Sequence, residues 1–238
     1  MRRKNSEIIT RLVTIAMLSA LGFVLMAFCR IPYPPSPWLM IEISDIVVLL
    51  AYVLYGFSGS ILTAILKTAL DMSINGLSGF AGIGNITALF TSLMYIVGLY
   101  LCSHIFRMFN KGLGHRIIGY VIITIYVTVI LTTANCIFIT PTYLCGYFTT
   151  CFDSVTVNNM LQSLEQMGYS NMGYAGIIFL IYFPFNLMKG AIIFLVYELL
   201  FNRIVFVLMK RSPFMKKYFL GSIFKKNDEE SKINDENK

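Results

Sequence analysis

Asn186 and Lys189 lie three residues apart in Phe185-Asn186-Leu187-Met188-Lys189, a spacing that puts both side chains on one face of a helix. The residues around them are apolar. An ammonium held at membrane depth costs about 2.5 kcal/mol or more, so such a residue marks a site by default. The bland alternative is that Lys189 snorkels or pairs with a carboxylate. Pro184 favours a site, because it removes one backbone donor and frees a carbonyl that protein or ligand must satisfy. Asn135, within Thr132-Thr133-Ala134-Asn135, offers donor and acceptor together, suited to a ligand edge carrying both N–H and C=O. It serves equally as a helix-to-helix hydrogen bond, a common form of glue in membranes.

Three other stretches carry candidate polar groups. In Leu39-Met40-Ile41-Glu42-Ile43-Ser44-Asp45, Ser44 or Asp45 is placed to cap a following helix, where unpaired amides favour an oxygen; closing a ligand pocket is the other role open to Asp45. The run from Gly76 to Asn85 is rich in glycine but lacks the Lys-Ser or Lys-Thr that a phosphate-binding loop needs, so it reads as a tight turn. Ala16 and Ala20 are spaced small-xxx-small with Gly22 close by, a pattern that lets another helix approach in lipid, whether from a partner or from this chain. No H-E-x-x-H, paired carboxylates or nucleophile elbow occurs, so an enzyme is poorly motivated. The five cysteines show no C-x-x-C spacing, and no metal site is expected; only Cys145 and Cys151 are placed to pair. His104 and His115 read as solvated.

The elements that must position these groups are membrane helices. The chain has 238 residues, of which 57% are hydrophobic and 13% charged, with a mean hydropathy of +0.72; soluble domains carry about 25% charged residues. About 20 apolar residues cross a bilayer, and the spans read as roughly 8–29, 44–57, 59–75, 84–108, 116–140 and 175–209. The second and third are short, interrupted by Gly56 and Gly59, and the third carries Lys67 and Asp71. The expected architecture is an all-α integral membrane protein with a six-helix transmembrane bundle over residues 1–215 and a charged tail, 216–238, that reads as disordered.

The net charge of +7 does not make a nucleic-acid binder, because the basic residues sit at the ends and in one loop. Lys and Arg number four in 1–11, three in 104–116 and nine in 203–238. The segments 30–45, 71–85 and 141–174 hold only Arg30. Basic short loops stay cytoplasmic, so both termini are expected inside the cell membrane and Asp45, Asp71, Asp153 and Glu165 at the outer side. Pro32, Pro34, Pro35 and Pro37 make the first outer connection a stiff, non-helical loop. In the long connection 141–174, Val155 to Met167 has helix-compatible spacing and reads as a short interfacial helix. No internal repeat is evident.

These residues resemble a known family: the substrate-binding S components of energy-coupling factor (ECF) vitamin transporters, and within them the riboflavin-specific RibU group. The resemblance covers about residues 8–210. It is carried by Ala16-x-x-x-Ala20, Glu42-Ile43-Ser44-Asp45, Lys67, Gly82-Ile83-Gly84-Asn85, Asn135 with Pro141-Thr142-Tyr143, and Pro184-Phe185-Asn186-x-x-Lys189. It implies a six-helix fold that binds riboflavin from outside, as cargo and not as a resident cofactor. By carry-over, Asn135, Asn186 and Lys189 hold the polar edge of the flavin ring and the loop at Leu39, Met40 and Ile41 covers it. Glu42, Asp45 and Asn85 complete the implied ligand set, with Phe80, Tyr143 and Tyr182 available to stack. It also implies a T component and an ATPase pair as partners, with Ala16 and Ala20 facing the T component. The alternatives are an S component for another heteroaromatic vitamin or precursor, an autonomous secondary transporter, or an assembly factor without a ligand.

Overall fold

The computed structural model describes residues 2–34, 36–105, 109, 112–166, 168 and 173–200. The expected tail and the last part of the sixth span lie outside the described residues. In chain order the elements are α1 (Arg2–Phe28), a hairpin of β1 (Arg30–Tyr33) and β2 (Ser36–Glu42), α2 (Asp45–Ile74), α3 (Ile83–Ile105), α4 (Leu113–Ala134), α5 (Thr140–Cys145), α6 (Ser154–Gln166) and α7 (Tyr174–Leu200). Among the described residues, five helical stretches are long and apolar enough to cross a membrane, with Leu113–Cys145 counted as one.

The expected second and third spans are the two limbs of α2. Gly56 stands at φ 73°, ψ −165°, a backbone region that is essentially glycine's alone. Asp45 and Lys67 each lie eleven residues from it, and their side chains meet at 2.9 Å. The helix therefore doubles back at Gly56, giving six apolar limbs among the described residues.

The proline-rich connection, expected to be a stiff non-helical loop, is a β-hairpin. Proline lacks a donor but suits edge strands and bulges, and here β1 and β2 pair antiparallel, Arg30 opposite Glu42 and Ile31 opposite Ile41, with an irregularity after Pro32. The hairpin leans on the bundle through Tyr33, whose ring meets that of Phe185 at 5.3 Å in a T-shaped contact. Leu39 packs against the cluster of Met160, Leu164, Tyr174 and Ile177. That cluster fixes α6, which starts one residue before the expected Val155 and shows its polar residues Asn158, Gln162 and Glu165 at the surface.

The main core lies between α2, α3, α4 and α7, where Leu49, Tyr95, Ile96, Leu99, Ile123, Val127, Ile193 and Tyr197 are buried. In lipid such packing is held by van der Waals contact and interhelical hydrogen bonds. After Ala134 the helix widens into a single π-turn, Asn135–Ile139, before α5 resumes with Pro141 in its first turn.

Candidate functional site

Two concavities stand out. The larger, about 610 Å³, is a groove between α4 and α7 lined almost wholly by apolar side chains such as Ile117, Val121, Leu187 and Leu195, as expected of a face turned to lipid. The smaller, about 190 Å³, lies under the hairpin and gathers side chains from β2, α3, the π-turn, α5 and α7. A binding site is recognised by a few convergent polar groups in an apolar wall; the groove's polar residues are Tyr120, Thr124 and Glu198, two of them bonded to each other, whereas a larger set of polar side chains converges on the smaller cavity.

Its polar wall is built from Glu42 of β2, Thr87 and Thr91 of α3, Asn135, Thr140 and Tyr143, and Tyr182, Asn186 and Lys189 of α7. Leu39, Met40 and Ile83 supply apolar surface. Asn186 and Lys189 share a face of α7, as their spacing predicts, and both are buried. The Asn135 amide donates to the Leu131 carbonyl at 2.7 Å, and Asn186 donates to Thr132 Oγ1 at 3.4 Å. Each amide spends a donor on the protein while lining the cavity. Thr140 donates to the Tyr182 hydroxyl at 3.0 Å, fixing the turn after the π-turn against α7.

Lys189 is the cavity's cation. Its Nζ stands 3.6 Å from Glu42 Oε1 and 3.6 Å from Asp45 Oδ2, close enough for attraction and too far for a hydrogen bond. The bland reading of Lys189, pairing with a carboxylate, thus has its partners, yet the ammonium keeps its N–H donors for the cavity. Glu42 is in the lining while Asp45 lies behind it.

Asp45 and Ser44 correct the capping expectation. Ser44 occupies the N-cap position of α2 without a capping hydrogen bond from its side chain. Its hydroxyl accepts from Lys67 Nζ at 3.0 Å, and Asp45 Oδ1 accepts from the same ammonium at 2.9 Å. Ser92 takes the third donor at 3.0 Å and itself donates to Asp45 Oδ1. The three N–H groups of Lys67 are therefore fully used, as a cation with no exposed surface requires. Asp45 and Asp71 stand at the hairpin end, as expected, but both are 1% exposed.

Asn85 and Ile41 also lie off the cavity wall. Asn85 accepts from the Ser78 backbone N–H at 2.7 Å and donates to Asp71 Oδ2 at 2.7 Å, so it pins the glycine turn to the end of α2. Asp71 also accepts from Arg30 at 3.2 Å and Asn75 at 2.8 Å. Ile41 is buried opposite Ile31 in the hairpin. The glycine run is a turn, with Gly76, Gly79 and Gly82 all at positive φ. A Cβ on Gly79 would stand 2.8 Å from Tyr143 Cε2, so that glycine makes room for a cavity side chain. Of the three aromatics expected to stack, Tyr143 and Tyr182 reach the cavity; Phe80 meets Phe148 instead, ring centres 5.3 Å apart. Cys145 and Cys151 are both free thiols.

Ala16 and Ala20 lie on the outward side of α1 with Leu12, Val13 and Met17, whereas Gly22 turns inward. Ile15 and Ser19 bury the opposite face. Among the described residues, the pair of alanines is exposed.

The sequence reading missed the joining of Lys67 to Asp45 and the cavity residues Thr87, Thr91 and Thr140. A usable signal was present: an apolar segment carrying Asp45, Lys67 and Asp71 needs each charge matched.

The chain is similar to the riboflavin transporter RibU of Staphylococcus aureus (strain TCH60), 28% identical over 204 residues, covering 85% of this chain and 94% of that protein. It is similar to the riboflavin transporter FmnP of Bacillus subtilis (strain 168), 25% identical over 197 residues, covering 82% of this chain and 92% of the relative. A solved structure described as "Structure and mechanism of the S component of a bacterial ECF transporter" superposes with a TM-score of 0.59 at 25% identity, covering 84% of this chain and 97% of that one. The family model "ECF transporter, substrate-specific component" matches residues 10–201, and the chain belongs to the substrate-specific components of ECF transporters.

Proposed function

We propose that this chain captures riboflavin at the outer side of the cell membrane and carries it as the S component of an ECF transporter, with a T component and an ATPase pair supplying the energy. The observation that carries the reading is the meeting of one lysine and two amide side chains, Lys189, Asn135 and Asn186, in a single cavity under the hairpin. That set suits a ring edge offering both carbonyl and N–H groups, with Tyr143 and Tyr182 beside it to contact the ring. The described lining holds one cation, Lys189, and one anion, Glu42, which suits a ligand without net charge. The names of the curated relatives support riboflavin as that ligand.

The hairpin end is the outer end in this reading and both termini are cytoplasmic, supported by the distribution of Lys and Arg. The outward face of α1 with Ala16 and Ala20 is the surface offered to the T component, and the chain itself performs no chemistry on its cargo. Native mass spectrometry of the purified protein, followed by fluorescence-quenching titration with riboflavin, tests the reading. Retained or tightly bound riboflavin is expected. Wild-type affinity in the Asn186→Ala/Lys189→Ala variant removes the site, and riboflavin uptake by vesicles that contain this chain alone removes the need for partners.

A further inference from the structure

Lys67 lies off the cavity wall, yet it is joined to the cavity through one carboxylate. Asp45 binds the Lys67 ammonium through Oδ1 and turns Oδ2 to Lys189, 3.6 Å away, with no hydrogen bond at that oxygen. On its other side the Lys67 side chain runs along α1 at Gly22, where an added Cβ would stand 3.1 Å from Lys67 Cδ and 3.3 Å from Cγ. A contact that tight forces the neighbour to give by a few tenths of an ångström. Lys67 has little freedom to give, because all three of its N–H groups are committed. Both carboxylates beside Lys189 stand at 3.6 Å, so the cavity ammonium has room to move between them and a ligand, while Lys67 is fixed.

We propose that Lys67 is a positioning residue for the cavity, acting through Asp45 on the Lys189 ammonium, and that Gly22 of α1 is the seat that sets where Lys67 stands. Lys67 holds Asp45 in place; Asp45 Oδ2 holds the Lys189 ammonium at its position beside the cavity; a shift at α1 moves all three. The helix that carries Ala16 and Ala20 on its outward face thus touches, on its inward face, the group that tunes the ligand's anchor.

The inference rests on the riboflavin reading for its probe. The full chain in nanodiscs is titrated with riboflavin, and its thermal midpoint is measured without ligand, for wild type, Asp45→Asn/Lys67→Met and Gly22→Ala. A buried ion pair replaced on both sides by neutral groups of similar shape leaves stability unchanged or raised, so a merely structural pair would leave binding alone. The expected result is a midpoint at or above wild type together with riboflavin binding weakened tenfold or more in the double variant, and at least threefold in Gly22→Ala. Wild-type binding, within twofold, in Gly22→Ala overturns the proposal, and so does wild-type binding in a folded double variant. If the double variant does not fold, Gly22→Ala alone decides. If wild type fails to bind riboflavin, the functional reading itself falls; if wild type binds and the variants match it, only this proposal falls.

Discussion

The ammonium of Lys189 and the carboxylate of Asp45 face each other across 3.6 Å, an ion pair left open by the width of a missing hydrogen bond. Asp45 is fully engaged with Lys67 on its other oxygen, so the opening lies on the cavity side. A ligand carbonyl that takes a donor from Lys189 competes with attraction alone.

Replacing Lys189 by Met removes that donor and strands Glu42 beside an apolar neighbour. Riboflavin affinity is expected to fall by more than about 1.4 kcal/mol, since a hydrogen bond to a charged group contributes about 1.5–3 kcal/mol. Adding Glu42→Gln should recover part of the lost thermal stability without recovering affinity. Titration and thermal unfolding, run on the same two samples, separate the effects.

Asn85→Ala should act on stability first. It leaves the Ser78 N–H and Asp71 Oδ2 without their partner, worth about 1–3 kcal/mol. Thermal unfolding is expected to show that loss; a variant with wild-type stability and lost binding would instead put Asn85 in direct contact with the ligand.

Gly79→Ala combines two penalties. The residue stands at φ 72°, ψ −173°, a conformation that costs a side chain about 1–3 kcal/mol, and the new methyl meets the Tyr143 ring. Both stability and riboflavin affinity should drop, and Tyr143→Ala in the same background should relieve the steric part of the stability loss.

Ala16→Leu with Ala20→Leu enlarges a surface that is exposed among the described residues. Riboflavin binding by the purified protein should stay at the wild-type level while cellular uptake of radiolabelled riboflavin falls. Unimpaired uptake would take the T component off this face of α1.

Asp153 accepts from the Thr156 hydroxyl, with further hydrogen bonds from the Val155 and Thr156 backbone N–H groups, and these hold its carboxyl below the ordinary value of 3.8. A lowered folded-state pKa contributes stability that is present above the unfolded value and lost as pH falls through the folded one. The start of α6 should therefore loosen below about pH 4, and Asp153→Asn should remove that pH dependence. Hydrogen exchange across residues 154–160, followed from pH 6 to pH 3, reads the change.

Much of this was legible in the chain. Apolar runs gave the limbs, and the interruption at Gly56 and Gly59 marked the reversal of α2, because glycines inside such a run weaken the helix there. The cation and amide on α7 announced the cavity because their spacing is local and their cost in lipid is high. What escaped depends on distance along the chain. Asp45 and Lys67 are 22 residues apart, and their cost in lipid calls for a match without saying which of Asp45 and Asp71 supplies it; Ser44 and Asp45 looked like caps because capping is a local rule. The hairpin was hidden by its prolines, which argue against helix without arguing for strand pairing. Asn85 resembled a ligand contact because an amide next to glycines looks available until its two partners are seen.

The widened turn at Asn135–Ile139 fixes an angular relationship. One extra residue there lets the Thr140 N–H reach back to the Asn135 carbonyl, where a regular helix would have closed four residues earlier. Deleting a single residue from this stretch would restore the ordinary repeat and swing everything beyond it by about 100° around the axis. Thr140 and Tyr143 would then leave the cavity while Asn135 stayed, so the phase between the two halves of that wall is written in one surplus amino acid.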